Sequence, residues 1–277
     1  MLHPYSPRGG QVLGKRIISA AVMIPIVLAA VYLGGLYFLG LILLAALLAG
    51  YEYLRMMREK ALTPSYLFGL LLIALLIVDA QWPRLGLLLW GATLLPLALL
   101  IVEVFRGNAP GALVNWGLTI AGGVYIGLSL SHFVRLRAMD RGLLWLLLAF
   151  LGTWICDTGA YFVGKGLGRH RFFPKISPKK TLEGAIGGVV SGVVAVVLLG
   201  YYMLGLGVGW GVALGLLVVF GATFGDLAES VIKRQVGVKD SGNLIPGHGG
   251  MLDRIDSLLL AVPLVYFFAS VIMRLVS

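Results

Sequence analysis

Long apolar runs, broken by short polar stretches, recur along the whole chain, and their lengths approach the ~20 residues a helix needs to cross a hydrocarbon core. Nine spans are predicted, at 17–34, 36–54, 65–79, 85–104, 112–131, 142–164, 184–204, 209–230 and 257–275. The stretch from 17 to 54 is too long for one crossing, and Gly34-Gly35 supplies a tight reversal within it. The third span is short and 142–164 ends in polar residues, so eight or ten crossings are close alternatives. The expectation is an all-α polytopic integral membrane protein in two regions. Residues 1–141 hold about five spans, and 142–277 hold about four spans with polar loops at 165–183 and 231–256.

Composition agrees with this pattern. Hydrophobic residues make up 59% of the 277 and charged residues 12%, against roughly 45–50% and about 25% in soluble domains. That excess excludes a single soluble core. The basic segment MLHPYSPRGGQVLGKR leads into an apolar run longer than the ~7–15 residues of a cleaved signal, which predicts a retained first span. The 39 glycines, with pairs at 122–123 and 187–188, are expected mainly where helices approach closely. The one cysteine, Cys156, excludes an internal disulfide and a multi-cysteine metal site, and its apolar setting reads as a small buried hydrophobe.

The net charge of +10 is explained by cytoplasmic loops facing anionic lipid, with no nucleic-acid partner required. With a cytoplasmic N-terminus, 17 of the 22 Lys and Arg residues fall on inside segments. The other five are Arg84, Arg135, Arg137, Arg141 and Arg274, and three of them crowd into HFVRLRAMDR, against the trend. This asymmetry predicts a multi-pass protein of the cell's inner membrane, with the N-terminus and both polar loops cytoplasmic.

Acidic residues are scarce, so their positions carry information. Asp157, Asp226 and Glu229 lie in or at the edge of apolar spans, where a carboxylate costs several kcal/mol unless paired or wetted. Asp226, Glu229, Ser230 and Lys233 share one helical face by spacing; a buried ion pair is the plain alternative. The following loop carries Lys239, Asp240, His248, Asp253, Arg254 and Asp256 among five glycines. Glycine lets backbone N–H groups approach a phosphate, and Asp253 and Asp256, as oxygen-only ligands, suit Mg²⁺. In the other loop, Ser177-Pro178 reads as a helix start beside Lys179 and Lys180, an anion site. The same lysines also serve as topology anchors.

The run from Ser230 to Asp256 resembles the signature of the phosphatidate cytidylyltransferase (CDP-diacylglycerol synthase) family. Its Ser, Lys-Arg, Lys-Asp, small residue, Pro, His-Gly-Gly and Asp-Arg-x-Asp are filled by Ser230, Lys233, Arg234, Lys239, Asp240, Gly242, Pro246, His248, Gly249, Gly250, Asp253, Arg254 and Asp256. CDTGAYFVGKGLG and SPKKTLEG resemble the family too, so the likeness runs over about 152–256. The first 140 residues match only as apolar spans.

The resemblance implies transfer of the cytidylyl group of CTP to phosphatidic acid, giving CDP-diacylglycerol and pyrophosphate for phospholipid synthesis. It implies Mg²⁺ on Asp226 and Asp253, with Asp256 and Asp157 as further ligands or neighbours, and a second cation close by. Lys239, Arg254, Lys179 and Lys180 would neutralise phosphates, beside the catalytic Asp240. Glu183, Glu229, Lys233 and Arg234 join Asp157 as substrate-binding residues. His248 either donates to a phosphate or orders its loop, and Ser177 has the same two roles open to it. A homodimer is implied by the likeness alone.

Phosphoryl-transfer chemistry of this kind rests on positioning and charge stabilisation. It therefore needs a polar cavity among the C-terminal helices, open to CTP and to the leaflet. Three other readings differ in observable ways. A CTP-dependent lipid kinase transfers the γ-phosphate and releases no pyrophosphate. A CDP-alcohol phosphotransferase needs an Asp-Gly…Ala-Arg…Gly…Asp…Asp pattern that the sequence lacks. A transporter moves substrate without consuming CTP. The topology has its own test: a single cysteine at Arg171, in a Cys156→Ser background, is expected to resist an impermeant thiol reagent in intact cells. Labelling from outside would overturn the orientation.

Overall fold

The structure, a computed structural model, describes residues 21, 23–107, 109–245 and 249–276. The described chain is a bundle of helices: α1 (Met23–Leu33), α2 (Gly35–Arg58), α3 (Tyr66–Gln81), α4 (Leu87–Arg106), α5 (Ala109–Ala138), α6 (Gly142–Leu167), α7 (Leu182–Leu199), α8 (Val208–Val236) and α9 (Leu252–Val276). Seven of these are long and apolar enough to cross a bilayer, while α1, as far as it is described, and α3 are shorter. The expected first span extends into residues 17–20 and 22, which lie outside the described residues.

The α1–α2 reversal falls at Gly34 and Gly35, with φ of 65° and 51°, a left-handed region open to glycine. The glycine pairs are contact sites. A Cβ at Gly123 would stand 2.7 Å from Leu72 Cδ2, and one at Gly187 2.5 Å from Val163 Cβ. These absences let α5 pack on α3 and α7 on α6. Along α8 the approach to α9 is closer still, because a Cβ at Gly221 would lie 2.5 Å from Ala261 Cα and one at Gly225 2.5 Å from the Asp256 carbonyl. Helices α5 and α2 also pack on α9, joining the N-terminal helices to the C-terminal ones.

Several helix ends differ from the expected ones, always by continuing through charged residues. Helix α8 runs on to Val236 and α9 starts at Leu252, so Lys233, Arg234, Asp253, Arg254 and Asp256 are helical residues rather than loop residues. Helix α5 runs to Ala138 and takes in most of HFVRLRAMDR. Hydrophobicity stops before the helix does, since charged side chains that find partners keep the backbone helical. The three arginines of that segment have partners within the fold. Arg135 Nη2 meets Asp79 Oδ2 at 3.0 Å. Arg137 donates to the carbonyls of Val31 (2.8 Å) and Tyr32 (3.0 Å) at the end of α1. Arg141 donates to Met203 (2.9 Å) and Leu204 (3.0 Å), in the π-helical turn that closes α7. Each guanidinium satisfies carbonyls or a carboxylate at a helix terminus, which gives these three charges a structural role whatever side they face.

Gly221→Leu is expected to destabilise the protein by at least the ~1–3 kcal/mol of core overpacking, because the obstacle at Ala261 is backbone. Gly40→Leu, where a Cβ meets nothing within 4 Å, is the control. Unfolding midpoints in detergent compare the two, and equal midpoints would refute this account of the α8–α9 contact.

Candidate active site

The glycine contacts bring acidic residues together. Asp226 follows Gly225, and the backbone it packs against belongs to Asp256, so the α8–α9 contact places both carboxylates on one cavity. The α6–α7 contact adds Asp157. The cavity, of about 710 Å³, lies among α6, α7, α8, α9 and the connection before α7. Its walls carry the carboxylates Asp157, Asp226, Asp253 and Asp256, and the cations Lys165, Arg171, Lys179, Lys180 and Arg254.

The 168–181 connection is a tight loop that brings Lys179 and Lys180 to this cavity. Phe172 N donates to Lys180 O and Leu182 N to His170 O, each at 2.9 Å, so its two ends run antiparallel. The expected helix start at Ser177-Pro178 is instead a turn, closed by Lys180 N to Ser177 O at 3.2 Å, with Pro in the position that favours turns. The cap of α7 is Thr181, whose Oγ1 accepts from Gly184 N at 3.2 Å. Glu183, expected to bind substrate, accepts from Arg169 N (3.0 Å) and His170 Nδ1 (2.6 Å), and so fastens the loop to the helix. Arg234 Nε reaches Ile176 O at 3.2 Å, tying this loop to the end of α8.

Lys180 Nζ lies 2.8 Å from Asp226 Oδ2, and Ser230 Oγ donates to Asp226 Oδ1 at 3.3 Å. Asp256 Oδ1 accepts from Ser257 N at 2.7 Å. Asp253 is held most firmly. Its Oδ1 meets Lys233 Nζ at 2.6 Å, and its Oδ2 lies 2.9 Å from each of Ser241 N, Ser241 Oγ and Gly250 N. Lys233 also pairs with Glu229, which is fully buried. Glu229 and Lys233 therefore form the support behind Asp253 and are absent from the cavity lining.

Of the expected site residues, Asp157, Asp226, Asp253, Asp256, Lys179, Lys180 and Arg254 meet at one cavity. Lys239 and Asp240 do not: α8 ends at Gly237 with φ of 82°, and beyond it both side chains are exposed and outside the lining. Ser177 is likewise outside the lining. His248, with Pro246 and Gly247, lies outside the described residues. Lys165 and Arg171 line the cavity although sequence reasoning treated them only as topology charges; basic residues beside a glycine-rich helix end were the available signal.

Glu52 of α2 was also missed. It is 3% exposed and accepts from Met251 N (3.0 Å), Leu252 N (2.9 Å) and Ser241 Oγ (3.1 Å). The rule that singles out Asp157, a carboxylate inside an apolar span, applies equally to Glu52. Nothing local in the sequence pointed to its partners, which stand about 200 residues away.

The buried triad yields a stability prediction. Lys233→Met leaves Glu229 and Asp253 facing each other without a cation, and breaking a buried pair in this way costs about 3–5 kcal/mol. Adding Glu229→Gln removes one stranded charge and is expected to recover part of the loss in a detergent unfolding assay. A double variant no more stable than the single would refute the pairing.

Fold and site together define a multi-pass α-helical membrane protein with a cavity whose mixed charges suit phosphate groups. The sequence matches the cytidylyltransferase family over residues 14–272, and the chain belongs to that family of nucleotidyl-transferring enzymes. It is similar to phosphatidate cytidylyltransferases of several bacteria. That of Synechocystis sp. is 35% identical over 305 residues, spanning 95% of this chain and 98% of its own. The Brucella suis protein is 36% identical over 265 residues, with 94% of each chain covered. The Bacillus subtilis protein is 35% identical over 226 residues, covering 78% of this chain and 82% of its own.

Proposed function

We propose that this protein transfers the cytidylyl group of CTP to phosphatidate in the cavity among α6–α9, releasing pyrophosphate and forming CDP-diacylglycerol. The observation that carries the reading is the convergence of four carboxylates and five cations on one cavity in a membrane-embedded fold. A phosphate oxygen of phosphatidate attacks the α-phosphorus of CTP; the bond from that phosphorus to the bridging oxygen breaks, and its electron pair leaves with pyrophosphate. The nucleophile is already an anion, so the site's work is to hold two polyanions together and stabilise the leaving group. Lys165, Arg171, Lys179, Lys180 and Arg254 supply that charge.

The donor set fits Mg²⁺ in kind, since all four carboxylates offer hard oxygen ligands. Among the described residues no three acidic, His or Cys side chains are yet grouped to enclose an ion. Asp226 is held by the chain's own cation Lys180. Asp226 and Asp253, with Asp256 and Asp157 near them, are the residues that would hold the metal, with Lys180 moving from Asp226 to a substrate phosphate. Bound there, Mg²⁺ would neutralise the triphosphate and the departing pyrophosphate. This function requires the cavity to open to the cytoplasm, where CTP is, and to the leaflet, where the lipid is; Tyr161 of α6 lines the cavity and is exposed.

The experiment is pyrophosphate release by the purified protein with CTP and phosphatidate present or omitted in turn. Release only with both supports the reading, while CDP formation or CTP-independent flux in vesicles sinks it. Asp226→Asn and Asp253→Asn are expected to abolish turnover in folded protein. Lys179→Ala is expected to raise the KM for one substrate about 10- to 150-fold, the worth of one charge-assisted contact. Wild-type kinetics in that variant would reduce Lys179 to a topology anchor.

A further inference from the structure

We infer that Glu52, far from the catalytic segment in sequence, is a positioning residue that sets Asp253 in the cavity; this rests on the function proposed above. The carboxylate of Glu52 sits at the N-terminus of α9. Its Oε1 accepts from Met251 N and its Oε2 from Leu252 N, two backbone donors that the helix itself leaves free. Among the described residues no Lys or Arg forms an ion pair with it. Its charge is met by the positive end of α9 and by a hydroxyl, the arrangement that helix termini offer to anions.

That hydroxyl makes the connection to the site. Ser241 Oγ lies 3.1 Å from Glu52 Oε2 and 2.9 Å from Asp253 Oδ2, and a hydroxyl has one hydrogen to give. The N–H groups of Ser241 and Gly250 also donate to Asp253 Oδ2, so the one hydroxyl hydrogen is shared between Asp253 and Glu52 while the Ser241 backbone stays bound to Asp253. Ser241 thus links the carboxylate in α2 to the carboxylate in the cavity. Two glycines close the loop around Glu52: a Cβ at Gly242 would lie 2.7 Å from Oε1, and one at Gly250 2.5 Å from Oε2. Ser241, Gly242 and residues 250–252, just before Asp253, therefore surround a group from the N-terminal helices, although none of those helices lines the cavity.

A glutamine at this position keeps the shape but not the contacts. One of its terminal atoms becomes an NH₂ group and meets a backbone N–H, donor against donor. The loop and the start of α9 then shift, and Asp253 shifts with them. The catalytic groups of α6 and α7 stay in place.

The test uses detergent-solubilised full-length protein with Glu52→Gln, Ser241→Ala and both together. Glu52→Gln is expected to lower kcat about 10- to 100-fold, the worth of one charged hydrogen bond, while KM for CTP stays within about twofold. The double variant is expected to be no slower than the slower single, because both changes act on the same carboxylate. Amide hydrogen exchange at 241–245 and 249–252 is expected to accelerate in Glu52→Gln, with α6 and α7 unchanged. Wild-type kcat in Glu52→Gln, multiplying effects in the double variant, or exchange rising equally in α6 and α7 would each overturn the inference. An inactive wild type would instead sink the proposed reaction, and the exchange result would still decide the role of Glu52.

Discussion

An ammonium group buried between two carboxylates at the end of α8 is the contact on which the rest of the site depends. In an apolar bundle a lone charge is expelled or neutralised, so Lys233, Glu229 and Asp253 are stable only as a set. Lys233 sits one helical turn beyond Glu229 on α8, and Asp253 sits in the first turn of α9. Holding the three together fixes how α9 stands against α8. The backbone contacts at Gly221 and Gly225 then determine how closely the two helices run, and Asp226 and Asp256 arrive at the cavity as a consequence.

The same logic, charge placed where a helix ends, recurs far from the cavity. Asp79 accepts from Leu88 N at the start of α4 and pairs with Arg135. Arg137 and Arg141 cover the final carbonyls of α1 and of the turn after α7. An open helix end leaves its last carbonyls or first N–H groups without partners, and these side chains supply them. Among the described residues, most of the buried charges fall into two groups, closures of helix ends and parts of the site or its support.

The cavity itself balances attraction against access. Its five cations would draw in two polyanions, yet without the four carboxylates they would repel one another and hold phosphate too firmly to release it. Lys180 on Asp226 is one such pair, satisfied within the chain; on the proposed reaction a substrate phosphate would take the lysine. In this chain the cavity's mixed charges are arranged by the glycine contacts between α8 and α9 and between α6 and α7.

The all-α membrane class, the Gly34-Gly35 reversal, the packing role of the glycine pairs and the acidic cluster of Asp157, Asp226, Asp253 and Asp256 were legible from sequence, because each follows from local spacing or from the cost of a charge in an apolar run. What the sequence could not show was how far helices extend through charged residues, since that depends on partners elsewhere in the chain. Asp253 became a helical residue through Ser241, Gly250 and Lys233, and Lys239 left the site because Gly237 turns the chain away. Ser177 closes a turn because Thr181 caps the helix instead. Glu52 is the clearest case. Its own span announces only an expensive carboxylate, and the amides of Met251 and Leu252 that receive it come near only when α2 packs against α9. Residue chemistry alone determined which groups could do the work; three-dimensional packing decided which of them meet, because a buried charge is stable only beside a partner that sequence distance does not reveal.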